Sequence, residues 1–197
     1  YHDAGKALNA QFFVENQVPG KVDPHDDVDP VITASTIIAH VADGVALATK
    51  YHMPPRIKDF IREHHGTMIA RYPYTKAVEN ANGVLEKVDI EQFRYPGPAP
   101  RSKETALLMM ADRSEATARA ELPKDEESLR KIIRNVIDNC LTEGQLDQTN
   151  LTFRDLSRIE ASFLKTLQNT YHPRIKYPEL KTAESESELR QAEELKK

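Results

Sequence analysis

Tyr1-His2-Asp3-Ala4-Gly5-Lys6, the opening of the chain, sets an imidazole and a carboxylate side by side. Two metal ions can share such a pair. Downstream lie His40, the doublet His64-His65 and Asp112, each within or at the end of a segment with helical spacing. The six residues give four imidazoles and two carboxylates. That mixed set suits a first-row transition metal such as iron or manganese. It contains no thiolate, which argues against a structural zinc site of the cysteine type. A helical domain that folds these six positions together would be a metal-dependent hydrolase.

Composition narrows the alternatives. The 197 residues suit one domain of ordinary size or slightly more, and 39% hydrophobic residues give a lean single core. A formal net charge of -4 excludes a protein that coats duplex nucleic acid, which needs clustered Lys and Arg. A small nucleotide stays possible, because metals can offset its charge locally. Cys140 is the single cysteine, so no intrachain disulfide forms, in keeping with a reducing compartment. It falls in an apolar helical pattern with Ile133, Val136, Ile137 and Leu141 and reads as packing. No run of about 18 apolar residues suggests a bilayer span, and no signal peptide is visible. Because the chain begins inside a motif, on Tyr1, it reads as a piece of a longer protein.

Apolar residues recur mostly at helical spacing, which predicts an all-α domain. Gly5 and the Pro-rich acidic run Pro19 to Pro30 read as loop. Thr33 or Ser35 is a candidate cap for a helix to about Lys50. Pro54-Pro55 begin the next helix, packed through Ile57, Phe60 and Ile61 and ended by Gly66. Another helix is expected from Tyr72 to about Glu86. Three prolines and a glycine between Arg94 and Pro100 demand irregular backbone. Ser102 caps a long helix to about Glu121. Helices over Asp125 to Thr142 and Thr152 to Tyr171 follow, with Asp125/Ser128 and Thr152/Asp155 as capping pairs. Thr182 to Lys197 is charged and reads as a frayed or exposed helix.

Each candidate has a plain structural reading too. A lone His-Asp dipeptide is common, and His25-Asp26 in the Pro-rich run is a decoy or an outer element. Lys6 can meet a phosphate oxygen as a point charge, or it is an exposed cation. His40 sits among Ile37, Ile38, Val41 and Val45, where a histidine is often just a core residue, and Asp43, three residues on, either orients its ring or is merely exposed. His64 and His65 point about 100° apart on a helix, so both reach one metal only where the helix end approaches it. Glu63 beside them reads as a solvated charge. Asp112 follows the apolar run Leu107-Leu108-Met109-Met110-Ala111, where a carboxylate is costly unless paired or metal-bound. Phe12, Phe13, Tyr72 and Tyr95 can stack on a base, although such aromatics are more often core.

Taken in order, His-Asp, His, His-His and Asp resemble the HD-domain phosphohydrolase superfamily. Longer strings extend the likeness: Phe12-Phe13-x-Glu15-Asn16-Gln17, Pro24-His25-Asp26, His64-His65-Gly66-Thr67, Phe93-Arg94-Tyr95-Pro96-Gly97-Pro98, Lys103-Glu104-Thr105, Ala111-Asp112, Leu151-Thr152 and Tyr171-His172-Pro173-Arg174-Ile175-x-Tyr177-Pro178. These are similar to the cytoplasmic HD domain of the seven-transmembrane-HD receptors, a branch of cyclic di-AMP phosphodiesterases. The likeness covers roughly residues 1 to 180, which implies an HD domain over 1–180 and a charged tail over 181–197.

The resemblance implies an all-α helical bundle with an additional C-terminal helical region. It implies two divalent metals, manganese or iron. His2, Asp3 and Asp112 would hold one, His40, His64 and His65 the other, with Asp3 bridging. A further histidine on an upstream helix belongs to the family pattern and lies outside this chain. The implied reaction is hydrolysis of cyclic di-AMP to linear 5′-pApA by a hydroxide the two metals share, with Asp3 and Lys6 as catalytic groups and Lys6 also meeting phosphate. No nucleic-acid polymer is implied as a partner, and a homodimer stays open. The implied location is the cytoplasmic face of a bacterial membrane, reached through segments upstream. Two alternatives stand beside this: an HD phosphohydrolase of another nucleotide, such as cyclic di-GMP, and a nucleotide-binding module without turnover. Gly66 after the doublet, in place of Glu, and the lack of a Gly-Tyr-Pro signature favour cyclic di-AMP.

Overall fold

The computed structural model describes residues 1–13 and 28–171. The strings through Glu15-Asn16-Gln17, His25-Asp26 and His172 to Pro178, the loop expected from Pro19 to Asp27 and the tail 181–197 lie outside the described residues. What is described is helical, as the spacing predicts, and the named strands of a sheet are missing among the described residues.

The first element departs from expectation. Ala4–Phe12 is not loop but a 3-10 helical stretch with a kink at Asn9. It lies across α1 (Pro30–Lys50). Gly5 is buried at the crossing, and a Cβ there would run into the His40 carbonyl oxygen and the Gly44 amide. Glycine reads as a helix breaker in isolation; here its missing side chain lets two backbones touch. The cap of α1 also differs from the expected Thr33 or Ser35. Asp29 Oδ1 accepts from Val31 N at 2.7 Å, and Pro30 takes the first helical position, where no N–H is needed. By length and composition α1 is apolar enough to cross a membrane. Its packing against the 3-10 stretch, α2 and α3, and the buried His40 at its centre, make it a core helix of this domain.

Two prolines launch α2 (Pro55–Glu63), and Gly66 turns the chain with φ of +54°. α3 (Arg71–Asn80) ends sooner than the expected Glu86, because Asn82 and Gly83 adopt positive φ. Short 3-10 turns at Leu85–Lys87 and Ile90–Phe93 follow. The proline-rich segment is irregular, as expected. Its start runs antiparallel to the chain after Gly66: Ala70 N donates to Phe93 O at 2.8 Å and Tyr95 N to Met68 O at 2.9 Å. That pairing carries Tyr95 to the site.

α4 (Lys103–Glu121) starts on Ser102, whose hydroxyl accepts from Thr105 N at 3.2 Å. α5 (Glu126–Thr142) has the reciprocal Asp125/Ser128 box, and α6 (Phe153–Tyr171) the Thr152/Asp155 pair, both as expected. Met109, Met110, Ile133, Val136, Ile137, Leu164 and Leu167 close one core between α4, α5 and α6, with Cys140 buried in it. The site forms on the other side of α4, against α1 and α2.

Candidate metal centre

All six predicted residues converge on one place. Asp3, His40, His64 and His65 form one group and His2, Asp3 and Asp112 another, each with its donor atoms within 4.8 Å of one another. Asp3 is common to both. His40 and His64 Nε2 each lie 3.5 Å from Asp3 Oδ1. On the other side His2 Nε2 lies 3.1 Å from Asp3 Oδ2 and 3.6 Å from Asp112 Oδ1.

Local structure explains how adjacent residues reach one point. α2 stops at Glu63; His64 is its cap and His65 has already left the helix. His65 stacks on Tyr95, with ring centroids 4.3 Å apart, and Phe13 meets His40 edge-on. Two of the four aromatics considered for base stacking are thus buried walls of the centre. Tyr72 is half exposed on a cavity beside it.

The imidazoles are fixed in orientation. His40 Nδ1 donates to Ile37 O at 2.5 Å, and His64 Nδ1 donates to Ile61 O at 2.7 Å. Of the two readings of Asp43, the orienting one is not met, since the His40 Nδ1 partner is Ile37. With both Nδ1 atoms protonated, both Nε2 atoms carry lone pairs. Those lone pairs face each other across 3.2 Å, beside the Asp3 carboxylate. A proton on one Nε2 or a metal ion between the two reconciles that arrangement. His2 Nε2 and Asp3 Oδ1 are likewise buried without a hydrogen-bond partner. Buried polar atoms are normally satisfied, so the donor set fits divalent metal.

Protonation supports the same fit. Burial pushes His40 down to about 4, with the neighbouring His64 adding to the effect. Burial, with His64 and His40, also carries His65 well below the ordinary imidazole value. Burial alone would raise Asp3, but His2, His64 and Lys6 outweigh it and hold the carboxylate well below its usual range. Metal ligation requires neutral imidazole and ionised carboxylate, and three of the groups are held that way. His2 is the exception: Asp112 first, then Asp3, draws it up to about 9.

Lys6 sits inside this arrangement, with Nζ 2.9 Å from Asp3 Oδ2 and over the Phe13 ring. Glu63 corrects the expectation of a solvated charge. Only 2% exposed, its carboxylate accepts from Arg101 N at 3.0 Å, Arg101 Nε at 2.9 Å and Thr105 Oγ1 at 2.7 Å. It fastens the end of α2, next to the His doublet, to the start of α4. A carboxylate in the last turn of a helix opposes the helix dipole, and that was the available signal. Gln145 carried none. Buried beyond α5, it accepts from Thr67 N at 3.0 Å and donates to Thr67 Oγ1 at 2.8 Å, bracing the turn after the doublet.

An all-α domain with a shared-carboxylate His/Asp centre defines the class. Residues 1–117 match the HD domain family, and the chain belongs to it. More particular likenesses follow. The chain is 38% identical over 180 residues to the cyclic-di-AMP phosphodiesterase PgpH of Bacillus subtilis and 35% over 179 to that of Listeria monocytogenes; each alignment covers 91% of this chain and 24% of the relative. The chain thus spans about a quarter of the length of these relatives. The crystal structure of the L. monocytogenes PgpH HD domain superposes with a TM-score of 0.78 at 33% identity, covering 87% of this chain and 78% of that one. Its complex with cyclic-di-AMP gives 0.79 at 34%, covering 90% and 79%.

Proposed function

We propose that this chain is the catalytic domain of a metal-dependent phosphodiesterase that opens cyclic di-AMP to linear 5′-pApA. The observation that carries the chemistry is the pair of Nε2 lone pairs, His40 and His64, turned towards each other beside Asp3. The similarity to two cyclic-di-AMP phosphodiesterases, and to a solved HD domain in complex with that molecule, supports the substrate.

On this reading His2, Asp3 and Asp112 would hold one ion and His40, His64 and His65 the other, Asp3 being common to both groups. Manganese or iron suits that nitrogen and oxygen set. When bound, the ions acidify a water near neutral pH and offset charge on the phosphoryl oxygens. The chain's own residues do the rest. Asp3 keeps its charge at any physiological pH, and the Nδ1 bonds to Ile37 and Ile61 hold the rings in place. Lys6 puts an ammonium group at the edge of the centre, where a phosphate oxygen would meet it. A cavity of about 270 Å³ beside Asp112 and His65 admits part of a nucleotide. The HD unit is taken as 1–180, with 181–197 outside it. Its place would be the cytoplasmic face of a bacterial membrane, reached through segments outside this chain.

The test is product formation from cyclic di-AMP with added manganese, with cyclic di-GMP alongside, in a protein extended upstream to include the further histidine of the family pattern. Linear pApA, with cyclic di-GMP slow or inert, is the expected result. No product despite two bound metals overturns the assignment and leaves a nucleotide-binding module or another phosphate substrate.

A further inference from the structure

The centre accounts for one phosphate, but a cyclic dinucleotide carries two. Beside the centre, Arg71 opens α3 and Arg113 follows Asp112 on α4. Both arginines line the 270 Å³ cavity together with His65, Tyr95 and Asp112. Both also line an adjoining cavity of about 350 Å³, with Asn135 and Asn139 of α5. Arg71, exposed, and Arg113, partly buried, repel one another across this wall, and the carboxylate on the same cavity is Asp112, which the metal centre engages. Arg113 Nε is buried and has no hydrogen-bond partner. Glu121 and Asp138 lie on the outer cavity, and neither forms an ion pair with either arginine among the described residues.

We infer that Arg71 and Arg113 form a subsite for the second phosphodiester of the cyclic dinucleotide, the one that is not cleaved. The inference rests on the function proposed above and names the residues that would set its preference for a substrate with two phosphates. A guanidinium presents two parallel N–H donors that match a phosphate's oxygens, and its charge is permanent. A phosphate between the two groups would satisfy Arg113 Nε and relieve the repulsion together. Arg113 follows Asp112 in sequence, so one turn of α4 delivers a carboxylate to the centre and a cation to the subsite. The spacing between the two phosphates of the substrate is thereby read by a rigid element. Arg71 and Arg113 bind here and do not touch the reacting atoms.

The experiment compares two substrates under identical manganese loading: cyclic di-AMP, and bis(p-nitrophenyl) phosphate, a diester with one phosphate. In Arg113→Gln and in Arg71→Gln the ratio of kcat/KM, cyclic di-AMP over the small diester, should fall about tenfold or more, the scale of one lost charge-assisted hydrogen bond. The loss should sit in KM for cyclic di-AMP. Arg119→Gln, which removes an exposed cation further along α4, should leave the ratio unchanged. An unchanged ratio in both cavity variants overturns the subsite, whether both activities persist or both fall together, as they would if Arg113 merely held Asp112 in place. A wild-type protein inert towards cyclic di-AMP would overturn the proposed function instead.

Discussion

Asp3 is the residue on which the centre turns. It faces imidazoles on both sides, and its two oxygens serve different groups: Oδ1 towards His40 and His64, Oδ2 towards His2 and Lys6. Asp3→Ala should therefore cost more than one ligand. Metal content should drop below two ions per chain, and turnover of cyclic di-AMP should fall on the order of 10²- to 10³-fold, the scale of removing one group that stabilises a transition state. Elemental analysis and initial rates read both quantities, and a variant with two ions and near-normal turnover would refute the shared carboxylate. Asp3 was legible in the sequence because His-Asp, His-His and an Asp behind an apolar run are costly to bury without a metal, and few other chemistries want them together. Glu63 was not, because the partners that make its burial possible, Arg101 and Thr105, lie about forty positions away. Burial of a charge is decided by distant neighbours, and a local reading sees only the charge.

At the scale of elements, local signals were read well and contacts between elements poorly. Ser102, Asp125 with Ser128, and Thr152 with Asp155 cap their helices as expected, since a cap needs only the next three residues. The end of α3 was misplaced although Asn82-Gly83 is a turn signal. The stretch after Asp3 was read as loop because Gly5 offers nothing to a helical pattern, and its reason is α1, dozens of residues on. Gly5→Ala tests that crossing directly. The methyl group would strike backbone, not a flexible side chain, so relief requires the stretch to lift off α1. A loss of roughly 1–3 kcal/mol, the usual cost of overpacking, is expected in a urea titration. Metal content should fall with it, since His2 and Asp3 lie on the lifted segment. A variant with an unchanged midpoint and full metal would mean that the crossing is slack.

For the whole molecule, pH acts in opposite directions on the metal-free and metal-loaded forms. His2 is raised from its ordinary 6.5 to about 9 in the metal-free fold. Its contact with Asp112 and Asp3 therefore adds stability that is fully present below 6.5 and is lost as pH rises through about 9. Metal must displace that proton, so loading is favoured by rising pH over the same window. The difference in Tm between loaded and metal-free protein should widen between pH 6.5 and 9. Calorimetry near pH 7.5, in buffers of different ionisation enthalpy, should show at least one proton released per chain on loading, the one His2 holds, with any from the acidified water in addition. A constant Tm difference and no proton release would place His2 outside the ligand set. His40, pushed down to about 4, has no proton to release at that pH.

The fastening of α4 has a consequence for how the chain can vary in length. Its start is fixed by Thr105 on Glu63, its middle sends Asp112 to the centre, and Met109 and Met110 sit in the core with α5 and α6. Angular phase along a helix advances about 100° per residue. One residue inserted or deleted between Ser102 and Asp112 would swing the carboxylate out of the centre and a core methionine towards solvent, while leaving the helix itself intact. The same change at Asn82-Gly83, where the chain has turned out of α3, would be absorbed locally. Homologues that keep this chemistry should differ in length there and beyond Glu121, and share one spacing from Ser102 to Asp112.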